Sequence, residues 1–217
     1  MLTAVTVYFD TAGPTNTEAA VEAALDRLVA LGLSDIVVAS NTGATARAVL
    51  AGLARRTRKP AGARDAAGRG DPAPVDAPGV EGVNLVVVTH HVGFREPGQD
   101  EMGQATRAEL SAAGARILTT THLFAGVERA AMRKWSGIYP GGLIANTLRL
   151  FGEGTKVAVE IAVMALDAGL VPYGRDILAI GGTGRGADTA LVVRPAHANS
   201  FFQTRILEFI CRPRPTD

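Results

Sequence analysis

A chain of 217 residues, 47% hydrophobic and 20% charged, carries enough apolar side chains to bury the core of one α/β domain. Its net charge of +1 gives no electrostatic footprint for nucleic acid, and a single cysteine, Cys211, excludes an intrachain disulfide framework and fits a reducing compartment. The N-terminus "MLTAVTVYFD" lacks the basic and long apolar regions of a secretory signal. The longest apolar stretch, "VAVEIAVMALDAGLV", is broken by Glu160 and Asp167, so no membrane span and a cytoplasmic location are expected.

In chain order, "AVTVYF" (4–9) reads as a strand. Thr15 and Glu18 stand at capping-box spacing ahead of Val21, Ala24, Leu25, Leu28 and Val29 at helical period, and Gly32 is a natural stop. "DIVVA" (35–39) is the next strand, and Ala46, Val49, Leu50, Leu53 and Ala54 mark a second helix. From Arg55 to Gly82 the apolar period gives way to Pro, Gly, Ala and charge, which predicts a surface-loop insertion within a single domain spanning 1–217.

Order returns with "NLVVVT" (84–89), a helix near Asp100–Ala113 and the strand "ARILTT" (115–120). A mainly helical stretch ends in "GTKVAVEIAVMALDAGL" (154–170). Two last strands, "DILAIGG" (176–182) and "TALVVRP" (189–195), precede a tail containing "SFFQTRILEFI". Strands alternating with helices imply a mostly parallel sheet covered on both faces, a three-layer α/β/α arrangement. The last two strands are too close for a parallel crossover, so that pair is expected to be antiparallel.

Ligands of open α/β sheets bind beyond the carboxyl ends of the strands, which directs attention to four loops. In "SNTGAT", Ser40, Asn41, Thr42, Gly43, Ala44 and Thr45 sit between a strand and a helix mouth, where free amides and the helix dipole suit a phosphate. Ordinary N-capping accounts for one of these residues, not all. "GGTGRGAD" places Gly182, Thr183, Gly184, Arg185, Gly186 and Asp188 in a glycine turn. Its dinucleotide-like spacing fails on context, because the segment runs into a strand, but Arg185 could clamp an anion.

"HHVGFREPG" supplies His90, His91, Gly93 and Phe94, and "THLFAG" supplies His122. On an extended segment His90 and His91 point to opposite sides, so at most one is expected at a shared site. No carboxylate or cysteine stands at ligand spacing, so no metal is expected. Glu160 has Lys156 four residues before it, the spacing of a pair on one helical face. His197 and Asn199 are read as capping or bracing the tail.

With these loops in place, "VVASNTGATARAVL" resembles the first strand–loop–helix of the C-terminal domain of pyruvate kinase, where such a loop holds an effector's phosphate. "DILAIGGTGRGADTALVV" is similar to that domain's last strand pair and glycine-rich effector loop. "VVVTHHVGFREPGQDEM" and "AIGGTGRGADTALVVRPAH" look like signature segments of the stand-alone pyruvate kinase alpha/beta domain family, which lacks the kinase. The likeness covers nearly the whole chain outside 55–82. It implies strand order 3-2-1-4-5 with the last strand antiparallel, the loops from Ser40 and Gly182 side by side, and flavin mononucleotide (FMN) as cofactor. Without the catalytic barrel no phosphoenolpyruvate chemistry is inherited, and Asn41 and Ala44 depart from the kinase loop, so effector identity does not carry over.

Three functions are consistent with this reading. The first is binding of a phosphorylated small molecule, FMN above all, as a sensor or carrier. The second is a flavin-dependent oxidoreductase in which His90 or His91 positions substrate. The third is a regulatory module that forms homo-oligomers.

Overall fold

The structure, a computed structural model, describes residues 3–57 and 82–214. Seven strands form one sheet: β1 (Val7–Phe9), β2 (Asp35–Ala39), β3 (Asn84–Thr89), β4 (Arg116–Thr119), β5 (Ile177–Gly181), β6 (Thr189–Arg194) and β7 (Arg205–Pro213). They lie in the order β1-β7-β6-β5-β2-β3-β4. All neighbours are parallel except β6, which runs against both β5 and β7. From β4 to β6 this is the expected 3-2-1-4-5 order with its last strand reversed.

Two expectations need correction at the other edge. The tail is a nine-residue strand, β7, and β1 pairs with it, so both chain ends extend the sheet beyond β6. "RILEFIC" alternates imperfectly, and only pairing on both sides fixes it as a strand. The capping box at Thr15 and Glu18 does not form either. A 3-10 turn over Pro14–Asn16 leads into α1 (Thr17–Leu31), and the Thr17 hydroxyl donates to the Pro14 carbonyl at 2.8 Å. Gly32 ends α1 in the left-handed conformation as anticipated, at φ 62°.

Strand alternation builds the layers. Ile36 and Val38 of β2 face one core with Val21, Ala24, Leu25 and Leu28 of α1, Ala46 and Val49 of α2 (Ala44–Thr57) and Leu110 of α3 (Gln104–Ala112). Val37, Val86 and Val88 face the other core, made with α6 (Glu153–Asp167). The three-layer α/β/α expectation therefore holds. Val29, assigned to the stripe of α1, is instead 39% exposed. Helix α2 runs on through Thr57, three residues into the expected insertion. Arg55 and Arg56 tie back to α1 by ion pairs with Glu22, and Arg56 also reaches Asp26. The remainder of that segment, 58–81, lies outside the described residues.

Helix α6 buries twelve of its fifteen residues and is the central helix of its face. Two glycines seat it. A Cβ on Gly181 would meet the Gly154 carbonyl at 2.4 Å and the Ala158 amide at 3.0 Å, and one on Gly154 would meet the Thr189 hydroxyl at 2.1 Å. Backbone thus rides on backbone where α6 begins, at the carboxyl end of β5. Between α3 and α6 lie α4 (Val127–Trp135) and α5 (Pro140–Arg149), and α5 packs on α6.

Buried beside β6, Cys211 has its thiol pushed up to about 12 by burial, which leaves it a packing residue rather than a nucleophile. Among the described residues no helix is long and apolar enough to cross a membrane.

Gly181→Ala is expected to destabilise the fold by about 3 kcal/mol, because neither clashing backbone atom can rotate away. Urea denaturation measures this, and a loss below about 1 kcal/mol would mean that α6 is not seated as described.

Candidate functional site

The helices that follow parallel strands start at the carboxyl edge of the sheet, so three N-termini converge there. Pro14 and Thr17 come from α1, the Ser40–Thr45 loop from α2, and Glu153, Lys156 and Val157 from α6. All border one cavity of about 660 Å³.

In the α2 loop, Ser40 caps the helix from outside it: its buried hydroxyl accepts from the Ala46 amide at 3.2 Å, while Gly43 holds the N-cap position. The amides of Thr42, Gly43, Ala44 and Thr45 have no protein acceptor among the described residues, the last three because they open α2. Thr42, Ala44 and Thr45 line the cavity, whereas Gly43 does not. Gly43 is needed for another reason. Its φ is +86°, and a Cβ there would lie 2.5 Å from the Thr106 methyl of α3. Its close approach is to protein, not to ligand.

Asn41 has a specific partner. Its Oδ1 accepts from the His90 amide at 2.8 Å, which turns its Nδ2 toward His90 Nε2 at 3.0 Å. An amide nitrogen can only donate, so His90 Nε2 accepts, and Nδ1 carries the proton that it donates to Glu101. Glu101 in turn pairs with Arg95 at 2.9 Å. Both ring nitrogens of His90 are thereby engaged. Phe94 stacks on its face with centroids 3.7 Å apart.

The loop after β3 is a tight turn, in which the Phe94 amide donates to the His91 carbonyl and the Gly93 amide to the Gln99 carbonyl. Both histidines therefore gather around Phe94 and His122, with His91 5.9 Å and His90 5.3 Å from the His122 ring. The expectation of opposite faces fails for the rings. It survives for the cavity, which His90 lines and His91 does not.

The glycine turn contributes Gly182, Gly184, Arg185 and Gly186 to the wall. Gly186 is held against α1, where a Cβ would meet the Thr17 hydroxyl at 2.4 Å. Thr183 and Asp188 do not line the cavity. Asp188 is fully buried; its carboxylate accepts from the amides of Gly13 and Thr183 at 2.9 and 3.1 Å and from the Thr189 hydroxyl at 2.8 Å. It fastens the turn to the start of α1, a structural role that removes it from the candidate ligand contacts. Gly93 is likewise a turn residue.

Sequence reasoning assigned neither Lys156 nor Glu160 to the site. They do form the anticipated i,i+4 ion pair, at 2.5 Å, but it is buried and lies in the cavity wall. The second Glu160 oxygen accepts from the Phe124 amide at 3.0 Å. A lysine in the first turn of a helix opposes the macrodipole, and its carboxylate partner compensates for that placement. Arg95, Arg129, Arg149 and Arg185 join Lys156 at this edge against the three carboxylates Glu101, Glu153 and Glu160, so the lining is net cationic. Apart from Arg185, anticipated from its glycine turn, these residues come from loops and helices with no motif of their own, and only their convergence reveals them. No protein-family model matches this sequence.

Burial holds the His122 imidazole below the ordinary histidine range, with Lys156, His90 and His91 lowering it further and Glu160 opposing them. A depressed histidine contributes stability at pH values above its unfolded value of about 6.5, and that contribution is lost as pH falls through the folded value. His122→Asn is therefore expected to flatten the decline in stability below pH 6.5, as read from urea midpoints across pH. An unchanged slope would place the titrating group elsewhere.

Proposed function

We propose that this protein binds a phosphorylated small molecule, with FMN as the first candidate, at the carboxyl edge of its sheet, as a sensor or carrier. One observation carries the reading: the amides of Thr42, Ala44 and Thr45 have no acceptor among the described residues, and these residues line a cationic cavity. Helix N-termini of this kind favour anions through both the free N–H groups and the dipole.

Phosphate contacts alone are insufficient for tight binding. Charge-assisted hydrogen bonds contribute about 1.5–3 kcal/mol each, and micromolar affinity needs roughly 8 kcal/mol after association costs. A ring system in contact with apolar and aromatic wall would make up the difference. Ala39, Val88, Val157 and Ile161, with His122 and the stacked His90–Phe94 pair, offer such a wall, and the cavity volume falls within the range of ordinary cofactor sites. The residues present thus fit both halves of FMN. The strand order from β4 to β6 is the one that the resemblance to the pyruvate kinase C-terminal domain implies.

When bound, a flavin supplies reversible hydride and electron transfer at its ring. The protein's own part is binding and shielding. Amides of the α2 loop and the hydroxyls of Thr42 and Thr45 would hold the phosphate, and Arg185 would add charge. Asn41 and Glu101 engage both ring nitrogens of His90, so it braces the wall.

The visible absorption spectrum of freshly purified protein, with mass spectrometry of whatever is released on denaturation, is expected to show a flavin mononucleotide. A different phosphorylated compound would keep the site and replace the ligand. Ala44→Asp tests the site itself. A carboxylate in the first turn is compatible with the helix but repels a phosphate, so FMN affinity by calorimetry is expected to fall about 30-fold or more with folding intact. Unchanged affinity would remove the α2 loop from the reading.

A further inference from the structure

Helix α4 has a sequence that calls for packing and a position that provides almost none. It is strongly amphipathic, yet none of its residues is buried. Val127, Ala131, Met132 and Trp135 fall on one stripe at helical spacing, and Val127 and Trp135 are 85% and 70% exposed. A nine-residue helix is marginal in water unless such a stripe is covered.

Its tethers are unusual too. Gly126 and Gly137 flank it with φ of 65° and 104°. At its C-terminal end Ser136 stands at φ 60° and ψ −171°, a region that glycine normally occupies, so the backbone there is strained. Glu128 holds the helix to the start of α5 by accepting from the Gly141 amide at 2.9 Å. Arg129, one residue further on, lines the cavity and enters no ion pair among the described residues.

We propose that α4 is a ligand-responsive lid: it rolls over the cavity mouth when ligand binds, lays its Met132–Trp135 edge on the ligand's ring and brings Arg129 onto a carbonyl oxygen of that ring. Arg129 and Met132, three residues apart, are neighbours on the helix surface, so one roll serves both contacts. The ligand is what covers the stripe, and closing releases the strain at Ser136. The proposal rests on the ligand-binding reading above and assigns Arg129 a contact to the ligand separate from the phosphate contacts of the α2 loop.

Hydrogen exchange of the full chain with and without saturating FMN tests it. Amides 127–135 are expected to exchange about tenfold more slowly with FMN, alongside those of 42–45. Slowing at 42–45 without slowing at 127–135 overturns the lid and leaves the binding reading intact, whereas no slowing at either overturns both. Slowing at 127–135 that follows protein concentration instead of FMN overturns the lid in favour of a second copy of the chain. Two surface variants add independent readouts. Arg129→Ala is expected to weaken FMN binding about tenfold. Ser136→Gly, which relaxes the open form, should weaken it about fivefold. Unchanged affinity in the first removes Arg129 from the site; unchanged or tighter binding in the second removes the hinge.

Discussion

Gly154 and Gly181 meet backbone to backbone where α6 crosses the end of β5, and the arrangement of the cavity depends on that contact. Any side chain at either position would lift the helix from the sheet. Seated as it is, α6 brings Lys156 and Glu160 into the wall opposite the α2 loop, and the same close approach places Gly154 against Asp188 and Thr189. Asp188 then ties the glycine turn to the start of α1 through the Gly13 amide. One contact between small residues thus aligns the N-termini of α1, α2 and α6 around a common space.

Polar residues in this space divide into those that hold the protein and those left for a ligand. Ser40 caps α2, Asn41 and Glu101 hold His90, and Asp188 fastens the turn. Their hydrogen-bonding capacity is directed at protein, which rigidifies the frame. The amides of the α2 loop and the guanidinium groups of Arg129 and Arg185 are different, because no protein acceptor faces them among the described residues. A rigid frame around unspent donors suits binding, since little has to be ordered when the ligand arrives.

Helix α4 stands apart from this frame. Every other long element contributes to one of the two cores, whereas α4 carries its apolar stripe outward on glycine-flanked tethers. The elements most firmly packed carry the Ser40–Thr45 loop, and the element least packed carries Arg129. Under the binding proposal, this division would leave the least packed element where a ligand enters and the rigid ones where it is held.

Much of the fold was legible because local pattern and environment agreed. Continuous apolar runs such as "DIVVA" and "NLVVVT" become strands buried on both faces, and the short link between β5 and β6 forces an antiparallel pair. The place of the Ser40–Thr45 loop at the carboxyl edge was readable for the same reason: a polar, glycine-containing segment between a buried strand and a helix has few other places to go. Strand β7 was not, because its alternation is weak and its partners β1 and β6 lie at sequence separations no local window spans. Nor was the distinction between Thr42, at the cavity, and Asp188, beneath it. Residue type by itself determines what a side chain can donate or accept. Only the tertiary structure decides whether a neighbour already takes that capacity, as the amides of Gly13 and Thr183 do for Asp188 and as nothing among the described residues does for Thr42 to Thr45.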